Sequence, residues 1–281
     1  MSERFQYSRE GYLNEDFRFF HLSDTAGQER DYHFHEFDKI VVLISGKVDY
    51  TVEGTTYRLM PWDVLLVRHH MIHKALIDQT EPYDRIIIYL DSASVERYAP
   101  SGGLADCFAE TEKRSYCLLR PGAEEIPALS EQLSRLEASV TDSGFGANIM
   151  RSTLLVQLLV LLNRIMQGDE GRVHEGSECD EKIAAVLSYI NENLASDLGI
   201  DELAAMSFLS RYHFMRLFKA QTGYTVHNYI RQKRLNQAAR LIREGVPAVR
   251  AAAECGFADY SAFHRAFTNT FGVSPGKIKR M

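Results

Sequence analysis

Two arginines near the C-terminus, Arg216 and Arg265, occupy the same place in a repeated pattern, Phe-x-Arg-x-Phe-x4-Gly. The copies run over 214–223 and 263–272, so every matched position is offset by 49. The apolar residues at i, i+3 and i+4 share one face of a helix, whereas the arginine at i+2 points away from that face. Each guanidinium is therefore predicted to be offered to a partner.

A second set of residues that could do chemistry lies in the N-terminal half. His33 and His35 are two residues apart on a predicted strand, so both imidazoles project to one face, and His73 can join them from a later strand. Three imidazoles can hold a transition metal and leave positions open for a substrate. Three interpretations stay open here: an organic ligand bound without metal, a metal site, or histidines with structural roles.

The repeated pattern needs helices to position its arginines. A short helical stretch precedes each copy, at 200–206 and 249–254, and the joining segments are only a few residues long. Two short helices joined by a tight turn, with Ala204 and Ala253 where they would cross, form a helix-turn-helix whose second helix enters a DNA major groove. The sequence therefore predicts two helix-turn-helix motifs.

The two turns differ in composition. Gly256 lies in the second turn, where a residue with positive φ is needed. The first turn, Ser207-Phe208-Leu209, has no glycine. We therefore expect the first turn to use a different local geometry.

Charge supports a nucleic-acid partner for the C-terminal part alone. Residues 181–281 contain 14 Lys and Arg against 8 Asp and Glu, a net charge of +6, whereas residues 1–180 carry −12. A basic segment over 226–243 reads as the helix that connects the two motifs. A phosphate backbone attracts the basic part through counterion release and repels the acidic remainder, so the two parts should have different tasks.

Over the last hundred residues or so, the chain resembles the DNA-binding domain of AraC/XylS-type transcriptional regulators. The marks are Arg234-Leu235, the block Glu254-Cys255-Gly256-Phe257, the spaced Phe263 and Phe267, and the ending Phe271-Gly272-Val273-Ser274-Pro275. In that family the connecting helix holds the two recognition helices about 34 Å apart, in successive major grooves.

The resemblance also assigns residues to DNA. The positions that approach base edges in the family are occupied here by Tyr212, Met215, Arg216, Tyr260, Ser261, His264 and Arg265. Arg211, near the start of the first recognition helix, and Lys219, as a phosphate contact, complete the set. Arginine can bridge guanine O6 and N7, which makes Arg216 and Arg265 the strongest candidates for base reading.

Short strands separated by turn residues fill the region from about residue 17 to residue 90, which predicts a closed or rolled β structure. The order His33-Phe34-His35, Gly46, Gly54, Pro61-Trp62-Asp63 and His73 resembles a cupin barrel. The glutamate that usually follows the histidine pair is missing, and Lys39 aligns near its place. An ammonium there opposes a divalent cation and favours an anionic or hydroxyl-rich ligand. We therefore predict an effector site at His33, His35, Lys39 and His73, with no metal and no cofactor, for a sugar or a small carboxylate.

An apolar run over 154–162 is too short for a membrane span, which needs about 20 residues. Apolar residues cover more than one face of the predicted helix over 147–166, which favours burial on two sides. One side can pack on its own domain and the other on a second subunit in a homodimer. The alternative is an internal core helix. The start lacks the apolar core of a signal peptide, and Cys107, Cys117, Cys179 and Cys255 have no metal or redox spacing. A cytoplasmic location without membrane contact is the expectation.

These observations predict an α+β protein: an N-terminal cupin-like β-barrel with trailing dimerisation helices, followed by an all-α domain with two helix-turn-helix motifs. The domains are placed at 1–167 for sensing and dimerisation, 168–180 for a flexible linker and 181–281 for DNA binding. The predicted function is a ligand-responsive transcriptional regulator, not an enzyme, whose partners are promoter DNA, an effector, a second copy of the chain and RNA polymerase. The alternative is a metal-dependent cupin enzyme with an accessory helical domain.

Overall fold

The computed structural model describes residues 13, 16–24, 32–99, 102–114, 116–168 and 181–278. The predicted linker at 168–180 falls, apart from its first residue, outside the described residues. The chain divides into two compact units. We call them the N-terminal body, which contains β1 to α4 apart from residues 53–55, and the C-terminal body, which contains the helices from α5 onward and is grouped with residues 53–55.

The N-terminal body contains eight strands and four helices among the described residues. The strands are β1 (Phe17–Asp24), β2 (Asp38–Ser45), β3 (Val48–Val52), β4 (Thr55–Arg58), β5 (Val64–Val67), β6 (His73–Ile77), β7 (Tyr83–Leu90) and β8 (Leu118–Leu119). The helices are α1 (Ser92–Glu96), α2 (Asp106–Arg114), α3 (Ile126–Val140) and α4 (Ala147–Gly168).

The strands form two sheets, one in the order β1-β7-β2-β5-β8 and one in the order β4-β3-β6. Strand β2 shows how they share the core, because successive side chains of a strand point to opposite faces. Ile40 and Val42 pack with helices α3 and α4, whereas Val41 and Leu43 pack between the sheets. Lys39 lies two residues before Val41 on the same strand, so its side chain points to the same face, the one between the sheets.

Helix α4 is long and apolar enough, by length and composition, to cross a membrane. Its own contacts account for that composition, because eight of its residues are buried, including Leu155, Leu158 and Leu162, which lie in the core that covers the five-stranded sheet. The opposite side of the helix exposes Ile149 and Val160. The helix therefore has a buried side and a partly apolar exposed side, and burial of the second side in a homodimer stays a prediction.

The described part of the C-terminal body is helical. Its elements are α5 (Glu181–Glu192), α6 (Ile200–Met206), α7 (Arg211–Thr222), α8 (Val226–Arg243), α9 (Ala248–Glu254), α10 (Tyr260–Phe271) and a 3₁₀ turn (Pro275–Lys277). Helices α6 and α7 form the first helix-turn-helix motif, and α9 and α10 form the second. Each recognition helix ends at a glycine in the left-handed conformation, Gly223 with φ 75° and Gly272 with φ 71°.

Two details of the motifs were predicted wrongly from the sequence. The first turn does not use a different geometry from the second: Phe208 adopts φ 54°, which is the same left-handed region as Gly256 at φ 79°. Ala253, predicted to lie where α9 crosses α10, is exposed, whereas Ala251 and Ala252 are buried.

Both errors have one cause. The recognition helices correspond at an offset of 49, from Arg211 to Tyr260, but the preceding helices correspond at 48, from Ile200 to Ala248. The second turn is one residue longer, so a constant offset assigns Ala204 to Ala253.

Helix α8 connects the motifs through Arg234, whose guanidinium donates to three backbone carbonyls. Nε donates to Leu194 O at 2.8 Å and Nη2 to Ser196 O at 2.6 Å, both in the segment between α5 and α6. Nη1 donates to Gly256 O at 2.9 Å, in the turn of the second motif. One side chain of the connecting helix thus contacts the surroundings of both motifs.

The predicted α+β class is confirmed, with a β domain followed by helices and then an all-α region of two helix-turn-helix motifs. Among the described residues the strands form two facing sheets rather than one continuous closed cylinder. The sandwich keeps the inward face that a barrel would offer, which is the face that carries Lys39.

Candidate functional site

The three histidines predicted to act together are close in the structure. His33 and His73 pair through their backbones, with His33 N to His73 O at 3.1 Å and His73 N to His33 O at 2.9 Å. The ring centroid of His33 lies 4.4 Å from that of His73 and 5.0 Å from that of His35. One ring nitrogen from each histidine lies within 4.8 Å of the other two, and all three side chains are buried.

The rings are held by neighbours of two kinds. The ring of Phe37 stacks on His35 at 4.6 Å with an interplanar angle of 10°. The ring of His73 is held by the backbone, since its Nδ1 lies 2.9 Å from the carbonyl oxygen of Met71. A carbonyl can only accept, so Nδ1 of His73 carries the proton and Nε2 carries the lone pair in the neutral ring. Within the described part of the chain, Nε2 of His73 has no hydrogen-bond partner.

Burial lowers the pKa of His73 well below its usual range, and the charge of Lys39 and the neighbouring His33 and His35 act in the same direction. The imidazole of His73 is therefore neutral at neutral pH, with a lone pair directed into the interior. Neutral imidazole can accept a hydrogen bond or bind a metal ion.

Lys39 belongs to the same site. It is buried, and its Nζ donates to the hydroxyl of Tyr50 at 2.7 Å. The ring of Tyr50 in turn lies 6.0 Å from His73 and nearly parallel to it. Tyr50 was not among the residues predicted for the site. The alternation of Val48, Tyr50 and Val52 with two polar residues was the sequence signal that Tyr50 faces inward, and the structure buries all three.

The predicted DNA-contacting residues of the first motif lie on the exposed side of α7. Tyr212, Met215, Arg216 and Lys219 are spaced i, i+3, i+4 and i+7, so they share a face, while the core-facing phenylalanines of the same helix are fully buried. Tyr212 is 73% exposed, Arg216 and Lys219 are exposed, and Met215 is half-buried. The structure thus brings these four residues together on one surface.

Arg211, at the start of α7, has a partner within the motif. Its Nη1 donates to the two carboxylate oxygens of Asp201 on α6 at 3.0 and 3.1 Å. Both side chains are largely exposed, so the ion pair is weak and can exchange for another partner.

The second motif presents a smaller and more polar surface. Ser261, His264 and Arg265 are spaced i, i+3 and i+4 on α10; Ser261 and Arg265 are exposed and His264 is half-buried. Tyr260 is 38% exposed, and its ring lies 5.7 Å from the buried ring of Phe263. This tyrosine leans toward the core, in contrast to Tyr212.

The recognition helices begin at side-chain caps. Ser210 accepts from the backbone N–H of His213 at 3.4 Å, and Asp259 accepts from the backbone N–H groups of Ser261 and Ala262 at 3.0 and 2.9 Å. A capped N-terminus fixes where the helix starts, and so it fixes the orientation of the exposed residues in the first two turns.

Comparisons with known proteins agree with this organisation. Residues 203–281 match the family described as a helix-turn-helix domain, and residues 19–159, half of the chain, match the family described as the AraC-like ligand binding domain.

Relatives match over nearly the full length. The chain is similar to the probable transcriptional regulator LumQ of Photobacterium leiognathi, with 26% identity over 91% of this chain and 94% of that protein. It is similar to the HTH-type transcriptional activator RhaS of Klebsiella pneumoniae, with 25% identity over 88% of this chain and 87% of that protein. Among solved structures, ToxT from Vibrio cholerae matches 94% of this chain and 97% of its own chain, with 13% identity and a TM-score of 0.36.

Proposed function

The chain belongs to the AraC family of transcriptional regulators, and we propose on that premise which residues read DNA and what the N-terminal body senses. The protein is a ligand-responsive, sequence-specific DNA-binding regulator. The names of the relatives are those of transcriptional regulators, which supports a role outside catalysis.

We assign base reading to the exposed faces of α7 and α10. The observation that carries this assignment is the repeated division of each recognition helix into a buried phenylalanine face and an exposed face with an arginine at the matched position of the repeat, Arg216 or Arg265. A guanidinium in the major groove can donate to O6 and N7 of one guanine. The base-contacting set is Tyr212, Met215, Arg216, Tyr260, Ser261, His264 and Arg265, with Arg211 and Lys219 as contacts at its edge.

The test is binding of the purified protein to its own upstream DNA, measured by fluorescence anisotropy over a salt series with random DNA as competitor. Arg216→Ala and Arg265→Ala should each lose about 1–3 kcal/mol of specific binding and keep the salt-sensitive nonspecific binding. Arg240→Ala is the matched control, because Arg240 is an exposed arginine of α8 that pairs with Glu244. Equal losses on specific and random DNA would contradict base reading by these arginines.

The effector is proposed to bind between the sheets at His33, His35, Lys39 and His73, with Tyr50 as an added member. A buried ammonium, a phenol hydroxyl and neutral imidazoles together favour a small molecule with negative charge or many hydroxyl groups. The ammonium favours a small carboxylate over a sugar. In this proposal the bound effector shifts the population between DNA-competent and DNA-incompetent states.

Thermal-shift screening with one panel of small carboxylates and one of sugars tests this proposal. A carboxylate should raise the melting temperature of the wild type, and the rise should vanish in Lys39→Met, which keeps the length of the side chain without its charge. A sugar that stabilises both variants equally would move the effector class from anion to carbohydrate.

A homodimer through α4 is the third part of the proposal. Ile149, Val156 and Val160 are spaced i, i+7 and i+11, which puts them on one stripe that is exposed or half-buried. Multi-angle light scattering should give twice the chain mass for the wild type and a single-chain mass for Val160→Glu.

We also infer a cytoplasmic location, because promoter DNA is the proposed target of the C-terminal body. In addition, we infer that the protein contacts RNA polymerase. The name of RhaS as a transcriptional activator supports such a contact.

A further inference from the structure

We propose that His21 is a proton-dependent clamp between helix α3 and the edge of the five-stranded sheet, closed when its imidazole carries two protons. His21 lies on β1, the edge strand of that sheet. Its Nδ1 lies 2.8 Å from Oε1 of Glu137 on α3, and its Nε2 lies 3.0 Å from Oδ1 of Asp84 on β7. One ring therefore joins carboxylates from two other elements.

The two contacts of His21 require one protonation state. A carboxylate oxygen accepts hydrogen bonds and has none to donate, so each ring nitrogen must carry a hydrogen for both bonds to form. Neutral imidazole has a single N–H, and its other nitrogen would direct a lone pair at a carboxylate oxygen. Loss of one proton therefore breaks one of the two contacts and replaces attraction by repulsion.

Two negative charges face the ring. Within the described part of the chain, the charged groups that act on His21 are Glu137 of α3 and Asp84 of β7. The other charged side chains of the three elements do not act on it: Arg18, Asp24, Arg85, Glu131 and Arg135. The strand residues among them point to the opposite face of the sheet, and those of α3 are exposed. The ring therefore has no cation beside it among these groups.

This environment sets the pH at which the clamp opens. Burial lowers the pKa of His21, but the hydrogen bonds and charges of Glu137 and Asp84 outweigh it and raise the pKa above the ordinary value of 6.5. A basic group with a raised folded-state pKa stabilises fully below its unfolded value and loses that contribution as the pH rises through the folded value. The clamp is therefore closed below about pH 6.5 and opens above it. The side chain is 37% exposed, so solvent screens both contacts and the effect is modest.

The clamp acts on the end of α3 that is joined to α4. Arg151 of α4 donates through Nε to Ser139 O at 3.3 Å and through Nη2 to Val140 O at 3.1 Å. Glu137 lies within one helical turn of these carbonyls. An open clamp frees the segment that holds the start of α4, where the exposed Ile149 belongs to the stripe proposed above as the dimer surface. This regulatory consequence rests on the proposed homodimer, whereas the clamp itself does not.

The first experiment is an NMR titration of the full-length protein with ¹³C-labelled histidine rings, in which His21→Gln assigns the signal. The midpoint of His21 should lie above about pH 6.5 in the wild type and should fall in both Glu137→Gln and Asp84→Asn, because each removes a negative acceptor. Glu131→Gln, an exposed glutamate of the same helix, is the matched control and should leave the midpoint unchanged. A wild-type midpoint at or below about 6.5, or one that neither carboxylate variant moves, would overturn the proposal.

Hydrogen exchange measures whether titration of the ring opens the clamp. After correction for the intrinsic pH dependence of exchange, amides at the C-terminal end of α3 should exchange about two to five times faster at about pH 8 than at about pH 6 in the wild type. His21→Gln should show the same corrected rate at both pH values. Protection of α3 that stays constant across the midpoint of His21 would contradict a clamp.

Sedimentation equilibrium at the same two pH values separates the clamp from the proposed homodimer. The dissociation constant of the dimer should rise about two- to fivefold at the higher pH in the wild type and stay constant in His21→Gln. A monomer at both pH values would remove the homodimer and leave the clamp to the NMR and exchange results. A dimer that ignores pH while α3 opens would keep the clamp and remove its regulatory consequence.

Discussion

The two helix-turn-helix motifs of this protein share a buried frame and differ on the exposed side. Phe214 and Phe218 in the first motif, and Phe263 and Phe267 in the second, are all fully buried. Their rings pack edge to face or tilted against one another at 5.7 Å and 5.3 Å within each pair. The two motifs therefore fold around the same arrangement of two buried phenylalanines.

The exposed sides have diverged in size and polarity. The first motif presents Tyr212 and Met215 beside its arginine, and the second presents Ser261 and His264. Large apolar groups suit contacts such as the thymine methyl, whereas serine and histidine suit hydrogen bonds to base edges. Under the proposed base reading, the two motifs keep one buried frame and contact different bases.

The largest expected effect tests the equivalence of the frames. Phe218→Ala and Phe267→Ala should each lower the free energy of unfolding by about 3–5 kcal/mol, because each leaves a cavity the size of a buried ring. Urea denaturation followed by far-UV circular dichroism measures this loss. Phe145→Ala is the control, because that phenylalanine is fully exposed. A loss below about 1 kcal/mol in only one motif would show that the frames are not equivalent.

The next effect tests what holds the two motifs to the connecting helix. Arg234→Lys should lower the free energy of unfolding by about 1.5–3 kcal/mol, because an ammonium cannot reach three carbonyls that the planar guanidinium contacts together. Arg231→Lys is the matched control on the same helix, where the exposed guanidinium donates to the nearby side chain of Asn228. Urea denaturation compares the two, and equal losses would remove the special role of Arg234.

The turns give a smaller effect, of opposite sign in the two motifs. Gly256→Ala should destabilise by about 1–2 kcal/mol, because the residue has φ 79° and an added Cβ would lie 2.8 Å from Leu194 O. Phe208→Gly should stabilise by about 0.5–1 kcal/mol, because it relieves a left-handed non-glycine residue whose side chain is 89% exposed and packs little. Thermal unfolding by circular dichroism tests both signs, and stabilisation by Gly256→Ala would refute the argument.

The helices of the C-terminal body were predictable because their signals are local. Predicted bounds for α6 and α8 agree with the observed Ile200–Met206 and Val226–Arg243, since apolar periodicity and capping residues act over a few neighbouring positions. The family and function predicted from the same residues are confirmed. Local pattern and tertiary structure agree here.

What the sequence missed depends on distance in space or on a single inserted residue. The extra residue of the second turn is invisible to a repeat aligned at one offset, so Phe208 was not matched with Gly256. The carbonyls that Arg234 contacts lie 22 to 40 residues away along the chain. The place of Tyr50 depended on strand register, and a slip of one residue reverses every side chain of a strand. These are properties of the assembled core, not of the local pattern.

The smallest expected effect separates the two helix caps by their charge. Ser210→Ala and Asp259→Ala should each cost about 1 kcal/mol, because each removes the acceptor for backbone N–H groups at the start of a recognition helix. Asp259 adds a negative charge at the positive end of α10, which contributes about 0.3–1 kcal/mol at low salt and is screened at high salt. The neutral Ser210 has no such component.

Asp259→Asn isolates this charge, because asparagine keeps the capping oxygen. We expect the variant to lose about 0.3–1 kcal/mol of unfolding free energy at low ionic strength and almost nothing near 1 M salt, where charges are screened beyond about 3 Å. The loss in Ser210→Ala should be the same at both ionic strengths, which makes it the control. Urea denaturation at two salt concentrations decides the point. A salt-independent loss in Asp259→Asn would mean that the hydrogen bonds alone stabilise the start of α10, and that the two caps differ in residue type but not in physical action.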